Sequence, residues 1–200
     1  RALILALAER LEVPLRERNL LLVAGGFAPA FPERGLDDPA LAAARRAMEL
    51  VLAAHEPLPA LAVDRRWTMV RANRAVAPLL DGVDEALLKP PVNVLRLSLH
   101  PGGLAPRIAN LAEWRAHLLD RLRRQVEATA DEALQELQQE LLAYPKPLGP
   151  PHPGAAGDRA YAGVVVPLRL RTDGGMLSFF STTTVFGTPV DVTLSELALE

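Results

Sequence analysis

The spacing of apolar residues changes twice along this 200-residue chain, and these changes restrict its fold more than any other feature. Apolar residues at every second position within residues 61–71 predict two short strands around the polar turn 64–66. Helical spacing dominates residues 73–142, and strands are predicted again at residues 163–171, at residues 176–185 and from residue 192. Strands that precede and follow a block of helices and meet in one antiparallel sheet define an α+β fold.

Two short helices are predicted ahead of the first strands. Leucines recur every four residues from Leu3 to Leu11, which predicts the first helix. Pro14 suits the first turn of a second helix, and Gly25 or Gly26 can adopt the left-handed backbone conformation that ends this helix. The turn-forming residues that follow predict a linker, after which Asp37 or Asp38 can cap a helix through residue 54. We therefore predict a helical segment at residues 1–29 and a second domain at residues 30–200.

Composition narrows the functional classes. Half of the residues are hydrophobic, the net charge is -2, and cysteine is absent. This balance gives no overall attraction to nucleic acid or to an anionic membrane, and the lack of cysteine excludes disulfides and thiolate sites. Because no apolar run reaches spanning length, we expect a cytoplasmic protein with no membrane partner.

One short predicted helix carries a polar group of residues. Asn93, Arg96 and His100 fall on one side of it, and Arg107 follows a turn later. One interpretation is structural, with Asn93 as a helix cap, Arg96 exposed and His100 placed favourably at the helix C-terminus. The other is that Arg96 or His100, together with Arg107, binds an anionic head group at the mouth of an apolar pocket.

Aromatic side chains are the candidate walls of such a pocket. Trp67 and Trp114 fit either a core or a ligand contact. On a continuous strand through residues 176–185, Phe179 and Thr183 share one face, and Phe180 shares the other face with Thr182. If Phe179 contacts a ligand, Thr183 is expected on the same side.

Catalytic and metal chemistry have little support. Ser98 and His100 can be combined with an aspartate only as any chain of this length permits, and no nucleophile or phosphate-binding motif is present. Glu113 and His117 lie one helical turn apart, which is common for a solvated pair. We expect no enzyme activity, no metal and no cofactor.

Longer stretches resemble a known family. Residues 7–29 resemble the closing helices of a bacterial XRE-type (lambda-repressor-like) helix-turn-helix domain. The rest of the chain resembles the MmyB-like transcription regulator ligand-binding domain, through "ALAVDRRWTMVRANRA", "NVLRLSLHPGGLAPRIANLAEWRAHLLDRLRR", "LLAYP" and "VPLRLRTDGGMLSFFSTTTVFGTPVDVTLSELALE". The resemblance implies a PAS-like domain, with about five antiparallel strands and helices around a cavity. It also implies that the groove-binding helices lie upstream of this chain.

The resemblance makes a ligand sensor of a DNA-binding transcription regulator the leading hypothesis. It implies a fatty-acid-like or other small hydrophobic ligand, contact with DNA through the upstream helices, and a homodimer. The alternative is a dimerisation or interaction module of the same regulator that has no physiological ligand. The family supplies no motif for the ligand contacts, so the choice of Trp67, Asn93, Arg96, His100, Arg107, Trp114 and Phe179 rests on position and chemistry.

Overall fold

A computed structural model describes residues 1–146 and 165–200. The described residues form two compact units. Unit 1 comprises Arg1–Arg65, Val70–Arg74 and Thr183–Glu200, and unit 2 comprises Arg66–Met69 and the described part of Ala75–Thr182. The chain therefore passes between the units several times.

The order of helices and strands follows the prediction up to residue 179 and departs from it near the C-terminus. The α-helices are α1 (Ala2–Arg10), α2 (Leu15–Ala24), α3 (Ala42–Ala54), α4 (Glu85–Leu88), α5 (Val94–Leu99), α6 (Leu111–Thr129), α7 (Glu132–Ala143) and α8 (Val192–Ser195). Short 3-10 helices cover Pro39–Leu41, Arg74–Leu80 and Ala105–Arg107. The strands are β1 (Leu61–Val63), β2 (Met69–Ala72), β3 (Leu168–Thr172), β4 (Gly175–Phe179), β5 (Thr184–Val185) and β6 (Ala198–Leu199).

Unit 1 is built on an antiparallel sheet with the strand order β2-β1-β6-β5. The register of β1 and β6 pairs Ala62 with Leu199, and Leu199 also lies opposite Thr184 of β5. Apolar side chains of α3 pack against this sheet in a cluster made of Met48, Leu52, Ala60, Ala62 and Leu199. The amphipathic pattern of α3 therefore gives the sheet one buried face.

The helical hairpin of α1 and α2 is confirmed. Pro14 immediately precedes α2, and Gly26 has a φ of +79°, which is the left-handed conformation expected just after a helix end. The leucines that predicted α1 are largely exposed, with Leu3 at 71% and Leu11 at 73%. The helical spacing therefore predicted the helix correctly, but the apolar stripe of α1 is not buried within the described residues.

Polar contacts attach α2 to later parts of unit 1. Arg16 donates from Nε to Glu196 at 2.6 Å and from Nη1 to Glu33 at 2.9 Å. The Asn19 side chain donates to the Phe31 carbonyl at 2.7 Å and accepts from the Phe31 amide at 3.0 Å. The boundary predicted between residues 29 and 30 stays a prediction, since these contacts concern packing alone.

Unit 2 has a larger apolar core, which collects the buried faces of its helices. Its fully or nearly buried members include Trp67, Leu95, Leu99, Trp114, Leu118, Leu122, Leu134, Leu137, Leu141 and Leu170. The helices α6 and α7 run where the periodicity predicts them, and Asp131 caps α7 by accepting from the Ala133 amide at 2.9 Å. Antiparallel β3 and β4 form a hairpin whose turn contains the predicted Asp173 and Gly174.

The strand predicted at residues 176–185 is interrupted. Its first part lies in β4 and its last part in β5, and these strands belong to different sheets. The ladder between β3 and β4 ends at the pair Leu168–Phe179, and just before it the Pro167 carbonyl accepts from Asn110 Nδ2 at 2.8 Å, on the side of β3 that faces away from β4. The expected sharing of a face by Phe179 and Thr183 was wrong, since it required one continuous strand.

Two further predictions of strands were wrong. Trp67 lies in the turn between β1 and β2, with a φ of +64°, instead of in the second strand. The segment after Asp191 begins with helix α8 because the buried Asp191 side chain accepts from the Thr193 amide at 2.9 Å and so acts as a helix cap. Residues 163 and 164 of the predicted strand 163–171 lie outside the described residues, and β3 starts at Leu168.

The α+β class is confirmed, but the described strands form two sheets instead of one. The four-stranded sheet belongs to unit 1, apart from the first residue of β2, and the two-stranded sheet belongs to unit 2. The predicted strand is divided between these sheets, because β4 pairs with β3 whereas β5 pairs with β6.

Candidate functional site

All the residues predicted as ligand contacts lie in unit 2, and Asn93 has a clear structural role there. Its Oδ1 accepts from the amides of Leu95 and Arg96, at 3.1 Å each, so it caps α5. Its Nδ2 donates to the Arg66 carbonyl at 2.9 Å, which fixes the turn before β2. The capping interpretation of Asn93 is thus confirmed, and both polar ends of its side chain are used within the protein.

Arg96 forms an ion pair with Glu140 of α7. Its Nε lies 2.9 Å from Oε1, and its Nη2 lies 2.7 Å from Oε2. The hydrogen bond from Arg96 lowers the pKa of Glu140 below its ordinary value, and the same bond raises the pKa of Arg96. The planar fork that would bind a ligand carboxylate therefore already binds a carboxylate of the protein.

Tyr144 and His100 extend this ion pair into a cluster of four side chains. The Tyr144 hydroxyl donates to Glu140 Oε1, and burial together with the nearby carboxylate raises the pKa of Tyr144. The His100 ring meets the Tyr144 ring edge to face, with 5.1 Å between centroids. His100 Nδ1 accepts from the Gly102 amide at 2.9 Å, so the ring is held at the end of α5.

Trp67 is 7% exposed and is held from several sides. Its Nε1 donates to Gln125 Oε1 at 2.8 Å, and the Arg121 guanidinium lies 4.6 Å from the ring centroid. Its carbonyl accepts from the Val94 amide at 2.9 Å. A left-handed φ is strained for a bulky residue, and such strain often marks a functional position.

Trp114 is also buried, and its contacts bear on whether Ser98 and His100 form a catalytic pair. Its Nε1 donates to Ser98 Oγ at 2.9 Å, and its ring stacks at a tilt on His117 with 5.7 Å between centroids. Within the described residues, Ser98 and His100 are not hydrogen-bonded to each other, since each has a different partner. The geometry therefore does not form the activated nucleophile that an esterase needs.

The remaining two predicted contacts lie apart from this cluster. Arg107 donates to the carbonyls of Leu79 and Asp81 at 2.6 Å each. Its guanidinium therefore binds the end of the 3-10 helix Arg74–Leu80 and the turn that follows that helix. Phe179 is half-buried at the end of β4, opposite Leu168. The structure thus joins His100 to Arg96 through Glu140 and Tyr144, and places Arg107 and Phe179 elsewhere in unit 2.

Sequence reasoning missed three residues in this region. Glu140 and Tyr144 complete the Arg96 cluster, and Arg115 is buried on α6 with its Nη2 donating to the carbonyls of Leu141 and Leu142. No local signal marks Glu140, because its partner lies 44 positions away in the chain. A signal for Arg115 did exist, since it interrupts the apolar stripe of α6 next to Trp114.

Membrane spans and metal clusters are both missing from residues 1–146 and 165–200. Within these ranges, the helices are too short or too polar to cross a membrane. No three histidine, aspartate or glutamate side chains of these residues are grouped as a metal site requires.

The comparisons with known proteins give the chain its class, which is the ligand-binding domain of a transcription regulator. The model of the MmyB-like transcription regulator ligand binding domain matches residues 44–200. Because this match covers most of the chain, the chain belongs to that family. Comparison with curated proteins gives no match.

Proposed function

We propose that this chain is the ligand-sensing part of a bacterial DNA-binding transcription regulator of the XRE type. The observation that carries the proposal is the family match over residues 44–200. The proposed ligand is a fatty-acid-like or other small hydrophobic molecule, bound by a PAS-like domain without being chemically changed. The regulator acts in the cytoplasm, where it reaches its operator.

The core of unit 2 supports a hydrophobic ligand. Trp67 and Trp114 belong to one apolar cluster with leucines from α5, α6 and α7. Half-buried apolar residues surround this cluster, among them Met69, Leu111, Leu119 and Val166. An apolar cluster with a few placed polar groups is the usual lining of a small-molecule site.

The helical hairpin supports the proposed link to DNA. We assign residues 1–29 as the closing helices of a helix-turn-helix domain, whose upstream helices contact DNA. The exposed leucines of α1 fit this assignment, because an apolar stripe is what the other helices of such a domain would cover. Arg16 binds Glu196, and residue 196 lies within the family match, so α2 is attached to the ligand-binding domain itself.

Binding is tested on the purified chain before and after delipidation. Native mass spectrometry should show a bound small molecule in the first sample, and a medium-chain fatty acid should raise the melting temperature of the second. Tryptophan fluorescence provides a second signal, because both tryptophans lie in unit 2. Absence of a bound molecule, of stabilisation and of a fluorescence change would contradict the sensor proposal.

A second candidate function is that of a dimerisation module, and the exposed apolar residues favour it. Leu3, Leu7, Leu20 and Val23 are each more than half exposed on α1 and α2. Exposed apolar surface of this kind often marks an interface, and two operator half-sites usually require a dimer. Light scattering that shows a stable dimer in a chain that binds no ligand would favour this second function.

A further inference from the structure

The hairpin of β3 and β4 has two long edges, and the chain itself covers one of them. The Ala109 amide donates to the Arg169 carbonyl at 2.7 Å, and the Arg169 amide donates to Asn110 Oδ1 at 3.1 Å. Ile108 lies opposite Leu170 in the same contact. The outer edge of β3 is therefore hydrogen-bonded within unit 2.

The outer edge of β4 presents backbone groups that have no such partner. Arg169 directs its amide and carbonyl away from β4, so its cross-strand partner Ser178 directs its own amide and carbonyl away from β3. The same holds two positions away for the pair of Arg171 and Met176. Within the described residues, nothing bonds to these groups of Met176 and Ser178, and both residues are exposed. The hairpin thus ends in an open strand edge.

The open edge of β4 lacks the features that usually protect a strand edge. Natural proteins place lysine, proline or a bulge at such an edge to prevent pairing with another chain. β4 contains neither lysine nor proline, and its register with β3 has no bulge. No charged residue occurs between Asp173 and Asp191, although 23% of the chain is charged. The edge is therefore suited to accept a further strand.

The side chains around the open edge indicate which strand would fit. Leu177 shares a face with the buried Leu170 opposite it, yet it is 40% exposed, so an apolar side chain on the added strand would cover it. The other face carries Met176 and, opposite it, the exposed Arg171, which has no carboxylate partner within the described residues. Neighbouring strands lie about 4.8 Å apart, so a glutamate two strands away from Arg171 can reach its guanidinium across Met176. The fitting strand thus alternates apolar and acidic residues.

We propose that β4 binds an extended peptide segment of a partner protein by antiparallel strand addition. The backbone of this segment bonds to the amides and carbonyls of Met176 and Ser178. Its apolar residues lie on the side of Leu177, and its acidic residues lie on the side of Arg171. This interaction surface goes beyond the proposed ligand sensing and requires no ligand, so the two can be tested separately.

The test uses a fluorescein-labelled, end-blocked peptide of about seven residues, in which valine and glutamate alternate. Fluorescence anisotropy measures its binding to the 200-residue chain. We expect this peptide to bind roughly tenfold more tightly than the same peptide with lysine in place of glutamate, because Arg171 repels the lysines. N-methylation of the glutamate amides, which face β4, should abolish binding without any change in the protein.

Hydrogen exchange and point variants locate the bound peptide. The amides of Met176 and Ser178 should exchange rapidly in the free chain and about fivefold more slowly with saturating peptide. Ser178→Pro removes an outward amide without removing a bond to β3, so it should weaken binding by roughly tenfold. Ser178→Thr is the matched control, because it keeps this amide, and it should bind within about twofold of wild type. Arg171→Gln should abolish the preference for glutamate over lysine.

The outcomes separate a partner peptide from other occupants of the edge. Slow exchange of the Met176 and Ser178 amides in the dilute free chain would show that the chain covers its own edge, which overturns the proposal. Slow exchange that appears only together with a dimer in light scattering would assign the edge to a second copy instead. Undiminished binding of the N-methylated peptide would refute strand addition, and this comparison needs no variant that could fail to fold. The sensor proposal would stand after any of these results, because native mass spectrometry tests its ligand independently.

Discussion

Replacement of Asn93 with alanine should destabilise unit 2 by about 2 kcal/mol. Loss of the helix cap, which serves the amides of Leu95 and Arg96, costs about 1 kcal/mol. Loss of the hydrogen bond from Nδ2 to the Arg66 carbonyl costs about 1 kcal/mol more. Asn93→Ser keeps a capping oxygen but not the donor, so it should cost about half as much.

Urea unfolding followed by tryptophan fluorescence measures this change in unit 2, because the only two tryptophans, Trp67 and Trp114, lie there. With a slope of about 2 kcal/mol per molar urea, the midpoint for Asn93→Ala should fall by about 1 M. Asp84→Ala is the matched control, since Asp84 caps α4 through one exposed hydrogen bond to the Ala86 amide. The reasoning is refuted if Asn93→Ala costs no more than Asp84→Ala.

Two other predictions concern ion pairs. Because Arg96 lowers the pKa of Glu140 in the folded chain, this carboxylate contributes its full stabilisation above the ordinary pKa of a glutamate, and the contribution disappears as the pH falls through the lower pKa of the folded state. Glu140→Gln should therefore lower the free energy of unfolding at pH 7 by about 0.5 kcal/mol, a small value because the ion pair is partly exposed to solvent. This difference between the variant and the wild type should vanish in acid. A difference that persists at low pH would show that the stabilisation does not come from the ionised Glu140. Arg16→Met should speed hydrogen exchange of the α2 amides by about three- to tenfold. Glu33→Gln should speed it less, because the bond from Arg16 to Glu196 remains. Equal effects of the two variants would show that Glu196 does not stabilise α2.

The helices could be predicted from the sequence because their signals are local. The caps Asp38 and Asp131 lie next to the helices that they begin, and each accepts from an amide two positions later. The glycine-containing turn between β3 and β4 is likewise a property of a few consecutive residues. Elements of this kind need no knowledge of what packs against them.

The strands near the C-terminus could not be predicted in the same way because their ends depend on a partner. The residues of β4 favour a strand that continues toward Thr184, but the pairing with β3 ends at Phe179, and Thr184 pairs with Leu199 of β6 instead. The β-branched residues after Asp191 also favour a strand, but the buried Asp191 begins a helix and forms an ion pair with Arg34 at 3.2 Å. For β4 and β5, pairing with another strand overrides the local propensity, whereas the cap Asp191 is a local signal that the strand prediction overlooked.

The candidate site shows the same limit for charge. Arg96 and Arg115 both lie on amphipathic helices, and nothing beside them in the sequence tells which is paired. Glu140 engages the first through two oxygens, whereas the second ends against the last turn of the same helix α7 with its Nε unbonded within the described residues. A single helix thus neutralises one arginine and leaves the other with carbonyl partners. Burial therefore does not tell which arginine finds a carboxylate, because the nearly buried Arg115 has only carbonyl partners within the described residues, whereas the more exposed Arg96 is paired with Glu140.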